Sequence, residues 1–147
     1  MNDRAFVTRV RELFRAFSVD VWLFGSWAEE VRGLAAPRAH ADVDLLYAAD
    51  DWRRVDTLID ARGLDEIRPK RLGHKRAFVL DGTMVELFLV KRDARGTLYT
   101  EFWGVRHEWP ADTFDELGLA SREALESYRA AHAAQPNWPG PDERPAA

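Results

Sequence analysis

Asp42 and Asp44 stand two residues apart in Asp42-Val43-Asp44-Leu45-Leu46-Tyr47. In an extended chain both carboxylates point to one face, with Cα atoms about 6.5–7 Å apart at twice the strand rise. Carboxylates converging at that spacing repel each other unless a cation lies between them. Glu86 is the one charge in Thr83-Met84-Val85-Glu86-Leu87-Phe88-Leu89-Val90. Burying a lone carboxylate costs several kcal/mol, so such a group pairs, binds a metal or keeps its proton. The chain has no cysteine, and three oxygen donors suit a hard cation such as Mg²⁺. Taken singly, an Asp-x-Asp is a common pattern and a lone strand Glu usually faces water. Their combination is what points to a metal.

Val21-Trp22-Leu23-Phe24-Gly25-Ser26 brings a glycine and a hydroxyl to the end of an apolar run. A glycine there lets backbone approach a ligand closely, and a helix starting at that point offers unpaired N–H groups to an anion. Ser26 also has a plainer reading as a helix N-cap, with Glu29 completing a capping box. An anion-binding turn beside a same-face acid pair is what a magnesium-bound nucleotide needs. Neither a P-loop motif nor Gly-x-Gly-x-x-Gly occurs, so those nucleotide folds have no support.

Lys75 and Arg76, before one apolar strand, and Lys91, after another, are candidate triphosphate contacts; each also reads as a solvated surface charge. Trp103 and Trp109 can stack a sugar or an adenine, or simply pack beside a hairpin. Glu29 and Glu30 read as capping and helix-dipole groups, and His132 as helix surface.

The elements that must position these residues follow from periodicity. Phe6, Val7, Val10, Leu13, Phe14 and Phe17 recur at helical spacing over Asp3 to Phe17. Val19 to Phe24 and Asp42 to Tyr47 read as strands, and a short helix spans Trp27 to Gly33. Another helix covers Asp51 to Arg62 and is closed by Gly63. Asp81-Gly82 between Phe78-Val79-Leu80 and Thr83 to Val90 predicts a two-residue hairpin. A further extended segment covers Thr97 to Trp109, and a last helix Ser121 to Ala133. The expected fold is α+β, a small mixed sheet flanked by helices, forming one domain over 1–134. Residues 135–147 hold four prolines and read as a disordered tail.

The 147 residues carry 21 Lys+Arg and 25 Asp+Glu, a net charge of −4. That balance argues against duplex nucleic acid as a passive ligand, because phosphate neutralisation needs clustered basic charge. It suits a divalent metal or a cationic small molecule. No apolar run is long enough to span a bilayer and the start lacks a signal-peptide core, so a cytoplasmic, non-membrane protein is expected.

Gly25-Ser26-Trp27-Ala28, followed by Arg38-Ala39-His40-Ala41-Asp42-Val43-Asp44-Leu45 and then a later strand acid, resembles the DNA polymerase β-type nucleotidyltransferases. More narrowly, it resembles the aminoglycoside 2''-adenylyltransferases and the related lincosamide enzymes. The resemblance covers residues 19 to 90 well and Thr97 to Trp109 more loosely. It implies transfer of a nucleoside monophosphate from an NTP, usually ATP, to a hydroxyl of a small acceptor such as an antibiotic.

On that resemblance Gly25 and Ser26 hold the phosphates, and Arg38 and His40 sit near them. Asp42 and Asp44 coordinate two Mg²⁺ ions, while Glu86 completes one metal site or deprotonates the acceptor. Ser26 stands where the antibiotic branch has a second glycine. The short C-terminal region leaves room for a second copy of the chain, or a partner protein, to complete the acceptor site. Two other readings are a minimal nucleotidyltransferase that modifies a partner protein and a nucleotide-binding module without turnover.

Overall fold

The Asp3 side chain accepts from the Phe6 amide and so caps α1 (Arg4–Ala16), which turns Phe6, Val7, Val10 and Phe14 into the core. The computed structural model describes residues 1–135 and Trp138. After α1 come β1 (Val21–Phe24), α2 (Gly25–Val31), β2 (Asp42–Ala48) and α3 (Arg53–Ala61). A two-residue β3 (Asp65–Glu66) and a 3-10 turn (Arg68–Lys70) lead into β4 (Lys75–Leu80) and β5 (Thr83–Arg92). The chain continues through β6 (Leu98–Phe102), β7 (Val105–Glu108) and α4 (Arg122–Ala134). The Ser121 hydroxyl caps α4 by accepting from the Ala124 amide.

The seven strands form one mixed sheet ordered β1-β2-β5-β4-β3, with β6 pairing the end of β5 and β7 pairing β6. β2 and β5 run parallel, and the other pairs are antiparallel. The central strands are buried along most of their length, because helices and the β6–β7 hairpin cover them. That explains their near-continuous apolar runs. The α+β fold expected from the sequence is the fold observed.

The hairpin at Asp81-Gly82 forms as expected, with both residues in the left-handed region (φ 48° and 77°). The segment Thr97 to Trp109 is not one extended run. It folds into a second tight hairpin, turning at Trp103 and Gly104 (φ 48° and 80°). The structure also corrects the capping of α2. The helix begins at Gly25 rather than Trp27, Phe24 occupies the cap position, and no side chain caps it. Ser26 is therefore inside the first turn, with its hydroxyl free for another partner.

Trp109, offered as a stacking surface, is core: it is buried and its indole N–H donates to Thr100 Oγ1. Trp138 packs against Phe102, Trp103 and Tyr128. Beyond Gln135 and Trp138, the expected tail lies outside the described residues.

Candidate active site

The parallel register of β2 on β5 sets Asp44 opposite Glu86, and β1 sets Phe24 opposite Asp44. Asp42, two residues before Asp44, shares its face. One carboxylate oxygen from each of Asp42, Asp44 and Glu86 lies within 4.8 Å of the others. The residues are 1%, 3% and 0% exposed, so the acids converge inside the fold rather than on its surface. Only oxygen donors meet here, which is the donor set of a hard divalent cation.

Gly25, the first residue of α2, closes the same cluster. Its φ is +65°, and a Cβ built on it would lie 2.5 Å from Asp44 Oδ2. Any side chain at this position meets the carboxylate, so the turn and the acid pair fit only with glycine between them.

Glu86 has its own counter-ions. Lys70 Nζ donates to Oε1 at 2.8 Å and Lys75 Nζ lies 3.0 Å from Oε2. The register explains the meeting. Ala77 of β4 stands opposite Glu86 and is small; Lys75, two residues earlier on the same face, reaches the carboxylate diagonally. Lys75 Nζ also sits over the rings of Phe88 and Trp103, 5.1 and 5.3 Å from their centroids. The surface readings of Lys75 and Arg76 are overturned. Both are buried, with Arg76 bonded to Asp56. Two ammonium groups offset the cost of burying Glu86, so of the three ways open to such a group, pairing is one that the fold uses.

Ser26 Oγ lies 2.8 Å from His40 Nδ1, and His40 Nε2 lies 2.9 Å from Glu30 Oε1. Glu30 accepts at Nε2 and thereby fixes the ring proton there, so in the neutral ring Nδ1 accepts the Ser26 hydroxyl. The His40 ring stacks on Trp27 with centroids 4.0 Å apart. The Arg38 amide also donates to Glu30, and this bond first, then the one from His40, holds the Glu30 carboxyl below the usual carboxylate range. Glu30 is thus a partner of the loop before β2, not a helix-dipole group.

Asn2 ties the same loop down. Its amide donates to the carbonyls of His40 and Asp42, and its oxygen accepts from the Trp27 indole. Nothing in the local sequence announces Asn2, because its partners are 25 to 40 positions away.

A pocket of about 250 Å³ opens at this turn, lined by Gly25, Ser26, Arg38, Tyr128, Arg129 and His132, among others. Arg129 pairs with Glu29 across its mouth. His132, read as helix surface, belongs to this pocket wall. Burial, with the nearby charges of Asp44 and Glu86 behind it, pushes the Tyr128 phenol up. The structure brings Gly25, Ser26 and Arg38 together in this pocket, with His40 held behind Ser26. Lys91 lies elsewhere, in a separate cleft with His74, Tyr99 and Trp103.

A model of the family described as aminoglycoside-2''-adenylyltransferase matches residues 6–114. Among curated proteins, none matches the chain in sequence. Among solved structures, the fold is similar to the lincosamide antibiotic adenylyltransferase LnuA bound to lincomycin. That match has TM-score 0.65 and 18% identity, covering 84% of each chain. It is also similar to ANT(2'')-Ia in complex with adenylyl-2''-tobramycin (TM-score 0.63, 16% identity), covering 92% of this chain and 80% of that one. A nucleotidyltransferase-like protein from Thermotoga maritima aligns at TM-score 0.52 and 16% identity, over 92% of this chain and 90% of the other.

Proposed function

The chain belongs to the aminoglycoside-2''-adenylyltransferase family, an enzyme family of the nucleotidyltransferase class, and from that premise we propose that it transfers a nucleoside monophosphate from ATP to a hydroxyl of a small acceptor of antibiotic type. The observation that carries this reading is the meeting of Asp42, Asp44 and Glu86 beside a glycine turn with no room for a side chain.

The buried, all-oxygen donor set fits Mg²⁺. Asp42 and Asp44 would hold one or two ions, with Glu86 at the edge of the set because its oxygens already face two ammonium groups. When bound, the metal supplies neutralisation of charge on the phosphates and on the acceptor oxygen.

The chain's own residues supply the rest. The Gly25 turn and the start of α2 present backbone N–H groups to the phosphates. Ser26 is held in one orientation by His40, and His40 by Glu30 and Trp27. Arg38, Arg129 and His132 line the pocket into which the nucleotide extends. Glu86 takes the proton of the acceptor hydroxyl as that oxygen bonds to the α-phosphorus and the bond to pyrophosphate breaks. Lys70 and Lys75 fix the orientation of Glu86. Positioning and charge neutralisation of this kind account for most of such a rate enhancement.

The test is pyrophosphate release from Mg-ATP across aminoglycosides and lincosamides, with mass spectrometry of the acceptor. Acceptor-dependent pyrophosphate and an acceptor heavier by one nucleoside monophosphate are expected. Silence with every acceptor, together with failure to bind Mg-ATP, would overturn the reading.

A further inference from the structure

Two ammonium groups are buried with the three carboxylates of the acid cluster. Lys70 and Lys75 are 8% and 4% exposed, a depth that lysine reaches almost only when its charge is paired. The backbone fixes both. The Ile67 amide donates to the Ala77 carbonyl, the Lys70 amide to the Ile67 carbonyl and the Leu72 amide to the Lys75 carbonyl. The 3-10 turn that carries Lys70 is thereby tied to β4, which carries Lys75. Lys70 Nζ donates to Glu86 Oε1 at 2.8 Å, and Lys75 Nζ stands 3.0 Å from Oε2. The rings of Phe88 and Trp103 lie under the second ammonium and add to its hold.

A site for two divalent ions needs the third carboxylate. Such ions sit about 3.5–4 Å apart, close enough to share ligands, and Asp42 and Asp44 alone leave one of them short. Glu86 is the acid that would complete the set, yet both of its oxygens face an ammonium. Mg²⁺ keeps its oxygen ligands at about 2.0–2.1 Å. An ion on Oε1 would come within about 5 Å of the Lys70 charge, and burial leaves little water to screen the repulsion.

The charges balance without that ion. Three carboxylates and two ammonium groups leave one negative charge, and a single Mg²⁺ turns it into one positive. Two Mg²⁺ ions on three carboxylates alone would strike the same balance, and the nucleotide adds equally to both cases. A second ion here would instead leave three positive charges in a buried cluster, a costly excess.

We infer that the Lys70–Lys75 pair takes the place of a second divalent ion, so that the site binds one Mg²⁺, on Asp42 and Asp44, together with the nucleotide. The inference rests on the metal reading of the preceding section and narrows it. Glu86 is then a neighbour of the ion and not its ligand. Lys70 and Lys75 are positioning residues, which hold Glu86 and keep a second cation off it.

The experiment counts ions on the full chain, with Mn²⁺ as the probe and α,β-methylene-ATP as a nucleotide that cannot release pyrophosphate. Electron paramagnetic resonance and calorimetry give the number bound per chain in wild type, Glu86→Gln and Lys70→Met. Wild type should bind one Mn²⁺, with the spectrum of an isolated ion. Glu86→Gln should also bind one. Lys70→Met frees Oε1 and should bind two, with the spectrum of a coupled pair.

Two Mn²⁺ per wild-type chain, loss of the ion in folded Glu86→Gln, or a single ion in folded Lys70→Met would overturn the inference. If Lys70→Met fails to fold, the counts for wild type and Glu86→Gln decide the matter. The outcomes also separate the two claims. No Mn²⁺ on wild type in the presence of the nucleotide would sink the metal reading itself, whereas two would sink only the replacement of an ion by lysines.

Discussion

At the glycine turn, the end of the site we assign to the phosphates, Ser26 is held by hydrogen bonds through His40 to Glu30, with Asn2 bonding the backbone of the same loop. At the other end of the acid cluster, which we assign to the acceptor, Glu86 is held between two buried lysines. The difference follows from what each end must admit. An incoming triphosphate brings its own charge, so the chain offers backbone N–H groups and an oriented hydroxyl and spends its carboxylate, Glu30, behind the histidine. A carboxylate buried this deeply is costly without opposite charge, so the fold supplies counter-ions to Glu86 permanently. The first end depends on close approach and orientation, the second on paired charge.

The substitution with the largest expected effect tests close approach. Gly25→Ala places a methyl against Asp44 Oδ2 in a left-handed backbone, and transfer should fall below detection while circular dichroism shows a folded protein. Retained turnover would mean that the turn and the acids do not act as one site. Lys75→Met tests paired charge. It should lower stability by about 3 kcal/mol in urea unfolding, the low end for a broken buried pair because Lys70 still holds Oε1. Glu86→Gln should leave Mg-ATP binding largely intact and lower transfer by about 10²-fold or more, as expected for loss of a general base. Unchanged turnover removes Glu86 from that role.

A smaller effect distinguishes orientation from charge. His40→Gln should raise the KM for ATP by roughly tenfold, the scale of one hydrogen bond to a charged group, without lowering the unfolding midpoint as Lys75→Met does. The smallest is a pH effect away from both ends. The pKa of His74 is lowered from 6.5 to about 4 in the folded chain, so its unfolded form binds the proton first. Its neutral burial is compatible with full stability above about pH 6.5, and stability is lost as pH falls from there towards 4. Thermal unfolding should show that decline in wild type and a shallower one in His74→Phe.

Much of this architecture was legible locally. The period of two put Asp42 and Asp44 on one face, and Asp81-Gly82 announced its hairpin. What was not legible depends on pairings between distant strands. Asp44 meets Glu86 only because β2 and β5 run parallel in one register. Lys75 reaches Glu86 only because β4 puts small Ala77 opposite it, so a charge flanking a strand looked like surface. Ser26 had the sequence of a cap, but α2 starts one residue before it and releases the hydroxyl to His40. The second hairpin escaped notice because Trp103-Gly104 lacks the usual Asn or Asp at its first turn position.

The central claim is that Asp42 and Asp44 form the metal-dependent nucleotide site beside Gly25. Calorimetry of Mg-ATP with wild type and Asp44→Asn tests it most directly. The account predicts binding by wild type that requires Mg²⁺ and is lost in the variant; equal binding by both proteins would contradict it.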